Sequence, residues 1–296
     1  INQSIKSIMS GTLVIGGTGL CGKEVVNALI KQGVTGIKVA TRDAAKAGTH
    51  SCPASASYVS FDYAKPETFD AALENVSKVF VICLPMDAKP AVTIAKFVEA
   101  LKARSSTITR VVMLSSQCSE KLTLVDAELL IQNSGLANVV IRPTFFLDDF
   151  TTFIKGQVMS GTIYTPVGDA KMAWLAAADI GQCAATLLSN DAVFTKYQSK
   201  SIALCGTKAV SMPELCALLS QHIGRTITAV SPSLADFEQT LLSYGTPADS
   251  AAYMVQLYRC IAAGDADIVT SDMSDINGRP SVSAEQFIIN NLSHWK

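Results

Sequence analysis

Short apolar runs alternate with amphipathic helical patterns along the first half of the chain. The runs have the length and composition of strands that are buried on both faces, as in a parallel sheet. Alternation of this kind is typical of an α/β fold with a doubly wound parallel sheet, right-handed crossovers and helices on both faces. The predicted strands are Thr12–Gly16, Ile37–Thr41, Ala56–Phe61, Lys78–Leu84, Thr109–Ser115 and Asn138–Ile141, and the predicted helices are Cys21–Lys31, Glu67–Leu73, Ala88–Ala103 and Leu122–Asn133.

After Pro143 the pattern changes, because strand-like runs become rare and helical patterns dominate. One predicted helix covers Asp179–Leu188, with Asp179 as its N-cap. Another begins with a capping box, in which Ser211 and Glu214 satisfy each other's backbone N–H groups. We expect an N-terminal extension over residues 1–11, a first domain over 12–150, and a smaller, mainly helical substrate part over 151–296 that is interleaved with it.

A glycine-rich string joins the first predicted strand to the first predicted helix. Gly16 permits a sharp exit from the strand, Gly19 lets backbone amides approach a pyrophosphate, and Gly22 lets the helix pack closely on the strand. Alone, such a string is also compatible with a simple packing turn. Its place between a buried strand and an amphipathic helix predicts dinucleotide binding and a Rossmann-like domain. The string is Gly16, Gly17, Thr18, Gly19, Leu20, Cys21 and Gly22.

The end of the second predicted strand indicates which dinucleotide is bound. An acidic residue there would bind the ribose hydroxyls of NAD, whereas this chain has Arg42, with Lys46 one turn later. A guanidinium matches the geometry of a phosphate, so we expect NADP(H) to be preferred over NAD(H). The alternative is that Arg42 is an ordinary solvated side chain.

Other residues end predicted strands at the same edge, where ligands bind in sheets of this kind. Asp62 follows the third strand, and we expect it either to accept a hydrogen bond from the adenine amino group or to serve as a turn residue. The fourth and fifth strands end in Leu84 and Pro85 and in Ser115 and Ser116.

The composition of the 296 residues excludes several classes of protein. Apolar residues make up 49% and charged residues 17%, which excludes a disordered chain. The net charge of −1 gives no field that would attract nucleic acid or an anionic membrane. Eight cysteines and three histidines without metal-ligand spacing indicate a reduced, cytoplasmic protein with no metal site. The chain contains no Tyr-x-x-x-Lys motif, so its catalytic residues are unknown from the sequence.

Together these residues resemble the NmrA-like family of atypical short-chain dehydrogenases/reductases, in particular its NAD(P)H:quinone oxidoreductase type. The resemblance covers about residues 12–290 and nearly the whole predicted fold. The segments that carry it are Gly16–Gly22, Ala40–Asp43, Phe61–Tyr63, Glu128–Asp149, Gly168–Leu188 and Gly278–Pro280.

The resemblance assigns the cofactor contacts in more detail. It implies that Arg42 meets the 2′-phosphate, that Asp62 and Tyr63 lie by the adenine, and that Leu84 and Pro85 border the ribose. It also implies that the nicotinamide lies by the turn after the sixth strand, which consists of Thr144, Phe145, Phe146 and Leu147.

The chain departs from the family pattern at two positions. Many relatives carry a lysine four residues before the helix residue that corresponds to Glu128, where it holds the nicotinamide ribose. This chain has Leu124 there, and Lys121 lies one turn earlier. Relatives also often end the Phe-rich turn with Asn, where this chain has Asp149. The quinone-reducing type can also lack the lysine, so its absence does not exclude catalysis.

We therefore expect an NADPH-dependent oxidoreductase that reduces a quinone or similar small conjugated acceptor by hydride transfer. A reduced quinone is weakly basic, so water can protonate it, and apolar walls from Phe145, Phe146 and Trp174 would hold the acceptor in place. Plain core packing is the alternative role for these aromatic residues. The alternative function is a non-catalytic NADP(H)-binding redox sensor of the NmrA type, which would have a protein partner. In either case we expect a monomer or a homodimer.

Overall fold

A seven-stranded parallel sheet forms the centre of the computed structural model, which describes residues 11–42 and 55–296. In chain order the strands are β1 (Gly11–Val14), β2 (Ile37–Thr41), β3 (Ala56–Ser60), β4 (Val76–Ile82), β5 (Arg110–Leu114), β6 (Asn138–Pro143), β7 (Thr162–Tyr164), β8 (Lys171–Met172), β9 (Ser201–Leu204), β10 (Val210–Ser211) and β11 (Thr228–Val230).

The order of strands in the main sheet is β3-β2-β1-β4-β5-β6-β9, and every neighbouring pair in it is parallel. Strand β1 therefore lies in the middle of the sheet, with β2 and β3 added on one side of it and β4 and the later strands on the other. In open sheets, the reversal of strand order between β1 and β4 creates a crevice at the carboxyl ends of these strands.

Helices cover both faces of this sheet, as the sequence predicts. The α-helices of the described residues are, in chain order, α1 (Leu20–Lys31), α2 (Phe69–Leu73), α3 (Pro90–Lys102), α4 (Leu124–Gln132), α5 (Lys155–Ser160), α6 (Ala177–Ser189), α7 (Asp191–Tyr197), α8 (Met212–Ile223), α9 (Leu234–Ser243), α10 (Ala248–Ala262), α11 (Asp272–Asn277) and α12 (Ala284–Asn290).

Two apolar layers hold the helices to the sheet. Helices α1 and α6 share one core with the face of the sheet that carries Val14 and Phe80. Helices α3 and α4 share the other core with the opposite face, which carries Leu13 and Val79. Consecutive residues of one strand therefore serve opposite layers, as the strand periodicity requires.

The predicted elements of the first half are confirmed, with differences of a few residues at their ends. Strand β2 has the predicted bounds, whereas β1 begins at Gly11, inside the predicted N-terminal extension, and ends at Val14. The glycine string ends β1 early because Gly16 already turns away from the sheet, with a φ of +68°. Residues 1–10 lie outside the described chain.

The second half contributes to the main sheet as well as to a third core. Strand β9 pairs in parallel with β6, where Val140 lies opposite Ser201 and Pro143 opposite Leu204. The remaining strands form two small sheets, an antiparallel pair of β8 with β10 and a parallel pair of β7 with β11. These sheets and helices α8, α10 and α12 enclose a separate apolar core around Trp174.

The prediction that Asp179 caps a helix is wrong. Helix α6 begins earlier, at Ala177, so Asp179 lies within its first turn and is fully buried. Its carboxylate accepts hydrogen bonds from Arg279 Nη2 and from the Val282 backbone N–H, each at 2.7 Å. A buried carboxylate requires such partners, and here they fasten the C-terminal segment to α6. The predicted capping box at the start of α8 is confirmed.

Candidate functional site

The glycine string forms a tight turn between β1 and α1. The N–H of Gly19 donates to the carbonyl of Gly16 at 2.9 Å and closes the turn. A Cβ on Gly22 would lie 2.2 Å from that same carbonyl oxygen, and one on Gly17 would lie 2.7 Å from a methyl group of Val39. The helix therefore meets the turn at a distance that only glycine permits.

The turn leaves a cradle of backbone donors at the start of α1. In the described chain, the N–H groups of Thr18, Leu20 and Cys21 donate to no backbone carbonyl of the loop. The N-cap, Gly19, is extended, and the first turn of α1 carries no acidic side chain. Free N–H groups and the positive end of the helix dipole favour an anion, so the cradle fits the pyrophosphate of a dinucleotide.

Arg42 is exposed at the carboxyl end of β2, beside the end of β3. Its contact with a 2′-phosphate stays a prediction. Lys46 was predicted to assist it and lies outside the described residues.

Asp62 and Tyr63 follow β3 and differ in environment. The Asp62 carboxylate accepts a hydrogen bond from the Ala64 N–H at 3.0 Å, which is the turn role. The ring of Tyr63 is buried edge-on against Phe97, and its hydroxyl donates to the carbonyl of Ile82 at 2.9 Å. The side chain of Tyr63 therefore supports the loop from the core. The adenine contact of these two residues stays a prediction.

The loop after β4 lies open to solvent and touches the second half of the chain. Leu84 and Pro85, predicted to border the ribose, are both exposed. Next to them, the carbonyl of Met86 accepts a hydrogen bond from the Ser250 hydroxyl at 3.2 Å. Helix α10 is thus attached to the loop that borders the crevice.

A buried ion pair between Glu128 and Arg142, which the sequence did not predict, lies next to the end of β5. The Ser115 hydroxyl donates to Glu128, whose side chain is 1% exposed. The Nε of Arg142 lies 3.1 Å from both carboxylate oxygens of Glu128, and Arg142 also pairs with the exposed Glu120. The neighbouring Ser116 hydroxyl donates to a backbone carbonyl at 2.7 Å. The Ser115 side chain therefore has a structural role, as a hydrogen-bond donor to the buried carboxylate.

The lysine position of many relatives is filled by a buried apolar residue, Leu124. The nearby Lys121 lies 2.5 Å from Asp265 and forms an ion pair with it. This ion pair joins the first half of the chain to the segment that follows α10.

The turn after β6 runs alongside the segment before α6. Leu147 donates its N–H to the carbonyl of Leu175 at 2.9 Å, and the N–H of Leu175 donates to Phe145 at 3.0 Å. The hydroxyl of Thr144 is buried and donates to the carbonyl of Ala173. Thr144 and Leu147 are therefore packed inside, whereas Phe145 and Phe146 are half-buried.

An aromatic wall stands above this turn and consists of Phe145, Tyr258 and Phe237. The Phe145 and Tyr258 ring centroids are 6.3 Å apart, and those of Tyr258 and Phe237 are 4.9 Å apart, edge to face. Trp174 contacts Phe145 from behind, but it is buried and donates its indole N–H to the carbonyl of Val210 at 3.2 Å. Core packing is therefore the role of Trp174.

The wall brings together parts that are far apart in sequence. Phe237 lies on α9 and Tyr258 on α10, and no residue of α9 is fully buried. Both were missed because aromatic residues on an amphipathic helix give no sign of which distant loop they face.

Two carboxylates, Asp148 and Asp149, follow the Phe-rich turn and lie near the start of α1. Asp148 accepts a hydrogen bond from the N–H of Ala177, the first residue of α6, at 2.7 Å. Burial together with the charges of these two carboxylates raises the pKa of the Cys21 thiol to about 12. Cys21 is therefore an unreactive thiol, and its place in the site is through its backbone N–H.

Two kinds of feature are missing from the described part of the chain. Residues 11–42 and 55–296 contain no group of three His, Cys, Asp or Glu side chains placed to hold a metal ion. Within the same ranges, every helix is too short or too polar to cross a membrane.

The strand order, the glycine turn and the donor cradle define a Rossmann-like fold of the dinucleotide-binding kind. The chain belongs to the NmrA-like family, whose model matches residues 9–275. The resemblance stated from the sequence is thereby confirmed.

Among curated relatives, the chain is similar to prestalk A differentiation protein A of Dictyostelium discoideum, with 32% identity over 97% of this chain and 94% of the relative. It is also similar to the NAD(P)H azoreductase of Xenophilus azovorans, with 28% identity over 93% of this chain and 96% of the relative. Among solved structures, it matches the NADPH complex of the NADPH-dependent quinone oxidoreductase QOR2 from Escherichia coli, with a TM-score of 0.80 and 23% identity, over 96% of this chain and 99% of that one.

Proposed function

We propose that this NAD(P)H-dependent oxidoreductase reduces a quinone or a similar flat, conjugated acceptor. The observation that carries the proposal is the aromatic wall of Phe145, Tyr258 and Phe237, which stands beside the turn predicted to hold the nicotinamide. Aromatic side chains offer stacking and edge-to-face contacts to a flat ring. The azoreductase and the quinone oxidoreductase among the similar proteins are named for acceptors of this shape.

The donor cradle at α1 and the exposed guanidinium of Arg42 support NADPH as the preferred cofactor. The cradle would hold the pyrophosphate, and Arg42 would pair with the 2′-phosphate. When bound, the reduced nicotinamide supplies the hydride. The chain's own contribution is to hold the acceptor against it, which raises the rate through proximity and orientation.

The absence of a tyrosine–lysine pair limits the acceptor chemistry. Lys121, the lysine nearest the family position, is paired with Asp265. Reduction of an ordinary ketone builds charge on a strongly basic alkoxide, which calls for a positioned acid. A reduced quinone carries its charge on a much less basic phenolate. The site therefore suits conjugated acceptors better than isolated carbonyls.

The test follows the absorbance of NADPH with a panel of acceptors and the purified full chain. The panel holds benzoquinones, naphthoquinones, azo dyes and enones, with an unconjugated ketone as the control. We expect NADPH oxidation with at least one conjugated acceptor and none with the ketone. The proposal is contradicted if the ketone is the only compound that oxidises NADPH, or if no compound in the panel does so.

The sensor alternative predicts a different set of results. A redox sensor binds NADP(H) tightly in calorimetry, turns over no acceptor, and changes its association with itself or with a partner when the cofactor binds. Sedimentation of the protein with and without NADPH separates the two functions, and it also tests the predicted monomer or homodimer.

A further inference from the structure

The Phe-rich turn after β6, residues 144–147, lies along the segment that leads into α6. The hydroxyl of Thr144 donates to the carbonyl of Ala173, and the N–H of Leu175 donates to the carbonyl of Phe145 at 3.0 Å. The N–H of Leu147 then donates to the carbonyl of Leu175 at 2.9 Å. This row of hydrogen bonds holds the turn against the segment, and it leads directly to the residue that follows the turn.

Asp148, the residue after the turn, supplies a cap to α6 from outside that helix. The N-cap of α6 is Ala176, whose side chain has no acceptor for the backbone N–H groups that a helix start leaves unsatisfied. The Oδ2 of Asp148 accepts a hydrogen bond from the N–H of Ala177 at 2.7 Å. The hydroxyls of Thr151 and Thr152 donate to the carbonyl of Asp148 at 2.9 and 2.8 Å. The backbone of Asp148 is thus held as well, and its side chain joins the turn to the start of α6.

Helix α6 is in close contact with α1, the helix that begins at the donor cradle. A Cβ on Gly181 of α6 would lie 2.4 Å from the backbone carbonyl carbon of Glu24, on α1, so the helices meet at a separation that requires glycine. Both helices also contribute to the same apolar core. Close packing of this kind leaves α6 little freedom to move relative to α1. The hydrogen bond of Asp148 therefore connects the Phe-rich turn, through α6, to the helix of the cradle.

The crevice must fix the two ends of a dinucleotide relative to each other, because in sheets of this order the ligand lies across both halves. The donor cradle would hold its pyrophosphate, and the Phe-rich turn is predicted to hold its nicotinamide. We propose that Asp148 is a positioning residue, which holds this turn at the spacing from the cradle that the nicotinamide end of the cofactor needs. The inference rests on the cofactor binding that the proposed function includes. Misplacement of a reacting group by about 1 Å can cost on the order of 10²-fold in rate, so one fixed contact is enough to matter.

The decisive experiment measures two ligands by calorimetry on the full-length wild type, Asp148→Ala and Asp148→Asn. NADPH contains the nicotinamide, whereas 2′-phospho-ADP-ribose is the rest of the cofactor without it. In Asp148→Ala, we expect the Kd for NADPH to rise about tenfold and the Kd for 2′-phospho-ADP-ribose to stay within about twofold of the wild type. Asp148→Asn keeps an acceptor oxygen for the Ala177 N–H, so we expect both Kd values to stay within about twofold. Because both substitutions remove the charge, the difference between them isolates the hydrogen bond.

Turnover with an acceptor that the wild type reduces provides a second measurement. We expect kcat to fall at least about tenfold in Asp148→Ala and to recover in Asp148→Asn. If Asp148→Ala does not fold, the same comparison is made with Asp148→Ser, whose hydroxyl ends one bond short of the Ala177 N–H.

Asn190→Ala provides the matched control, because it removes the same kind of contact at the other end of α6. There Asn190 caps α7, and its Oδ1 accepts a hydrogen bond from the N–H of Val193 at 3.1 Å. We expect this variant to lose a similar amount of thermal stability and to keep both Kd values and kcat within about twofold of the wild type.

The outcomes separate this inference from the function on which it rests. The inference is overturned if Asp148→Ala binds NADPH like the wild type, if it weakens both ligands equally, or if Asp148→Asn loses as much affinity for NADPH. In each of these cases the proposed function stands as long as the wild type reduces a conjugated acceptor. If the wild type binds NADPH but reduces no acceptor, the proposed function fails, and the two Kd values still decide the inference. If the wild type does not bind NADPH, both fail.

Discussion

The buried pair of Glu128 and Arg142 allows a prediction with a magnitude worked from its geometry. Glu128 is 1% exposed, and Arg142, at 18%, holds it with two nitrogens. Removing one member of a buried pair costs about 3–5 kcal/mol. Glu128→Ala leaves Arg142 its second partner, Glu120, which favours the lower end of that range, and the unpaired Ser115 hydroxyl adds about 1 kcal/mol. We therefore expect a loss of about 3–4 kcal/mol in the free energy of unfolding.

The control for this prediction is Glu120→Ala, because it removes the other carboxylate from the same arginine. Glu120 is 64% exposed, and exposed pairs contribute about 0–1 kcal/mol. Thermal unfolding followed by circular dichroism should show Tm lowered by roughly 5–6 °C for Glu128→Ala and by at most about 2 °C for the control. Equal shifts in Tm for the two variants would refute the reasoning, since burial would then have no effect on how much an ion pair with Arg142 stabilises the fold.

Three further predictions concern the cofactor and the acceptor. Arg42→Ala should weaken NADPH by about 1.5–3 kcal/mol, or roughly 10- to 150-fold, and leave NADH unchanged, as fluorescence titration will show. An equal loss for both cofactors contradicts the contact with the 2′-phosphate. Gly22→Ala puts a Cβ 2.2 Å from the Gly16 carbonyl, so calorimetry should find NADPH binding weakened at least about tenfold and stability lowered by about 1–3 kcal/mol. Unaltered binding would show that the close approach has no role in the cradle. Phe237→Ala removes the edge-to-face partner of Tyr258, and steady-state kinetics should show KM for the acceptor raised roughly fivefold at unchanged KM for NADPH. If only the KM for NADPH changed, Phe237 would not belong to the surface that binds the acceptor.

The sequence predicts the sheet well where its signals are local. Strand β2 has the predicted bounds, and the glycine turn lies where a buried strand meets an amphipathic helix. The same local logic identified the capping box of Ser211 and Glu214. Apolar periodicity, turn residues and caps act within a few residues of one another, so they can be read without knowledge of the fold.

The parts that the sequence did not predict depend on contacts between distant segments. Asp179 looks like a cap, but its partners Arg279 and Val282 lie about a hundred residues later. Tyr258 contacts Phe145 of the Phe-rich turn, and Phe237 contacts Tyr258, only once α9, α10 and the turn have packed together. No local rule reports such pairings, because the same residues would serve equally well in an ordinary core.

The parallel pairing of β6 with β9 has a consequence for anyone who divides this chain. A fragment that stops near residue 150 would lack β9 and would leave the main-chain groups of β6 along an open margin of the sheet. Unprotected margins recruit strands from other molecules. The first half therefore cannot be excised as an autonomous module, and insertions belong in an exposed connection such as that between α9 and α10.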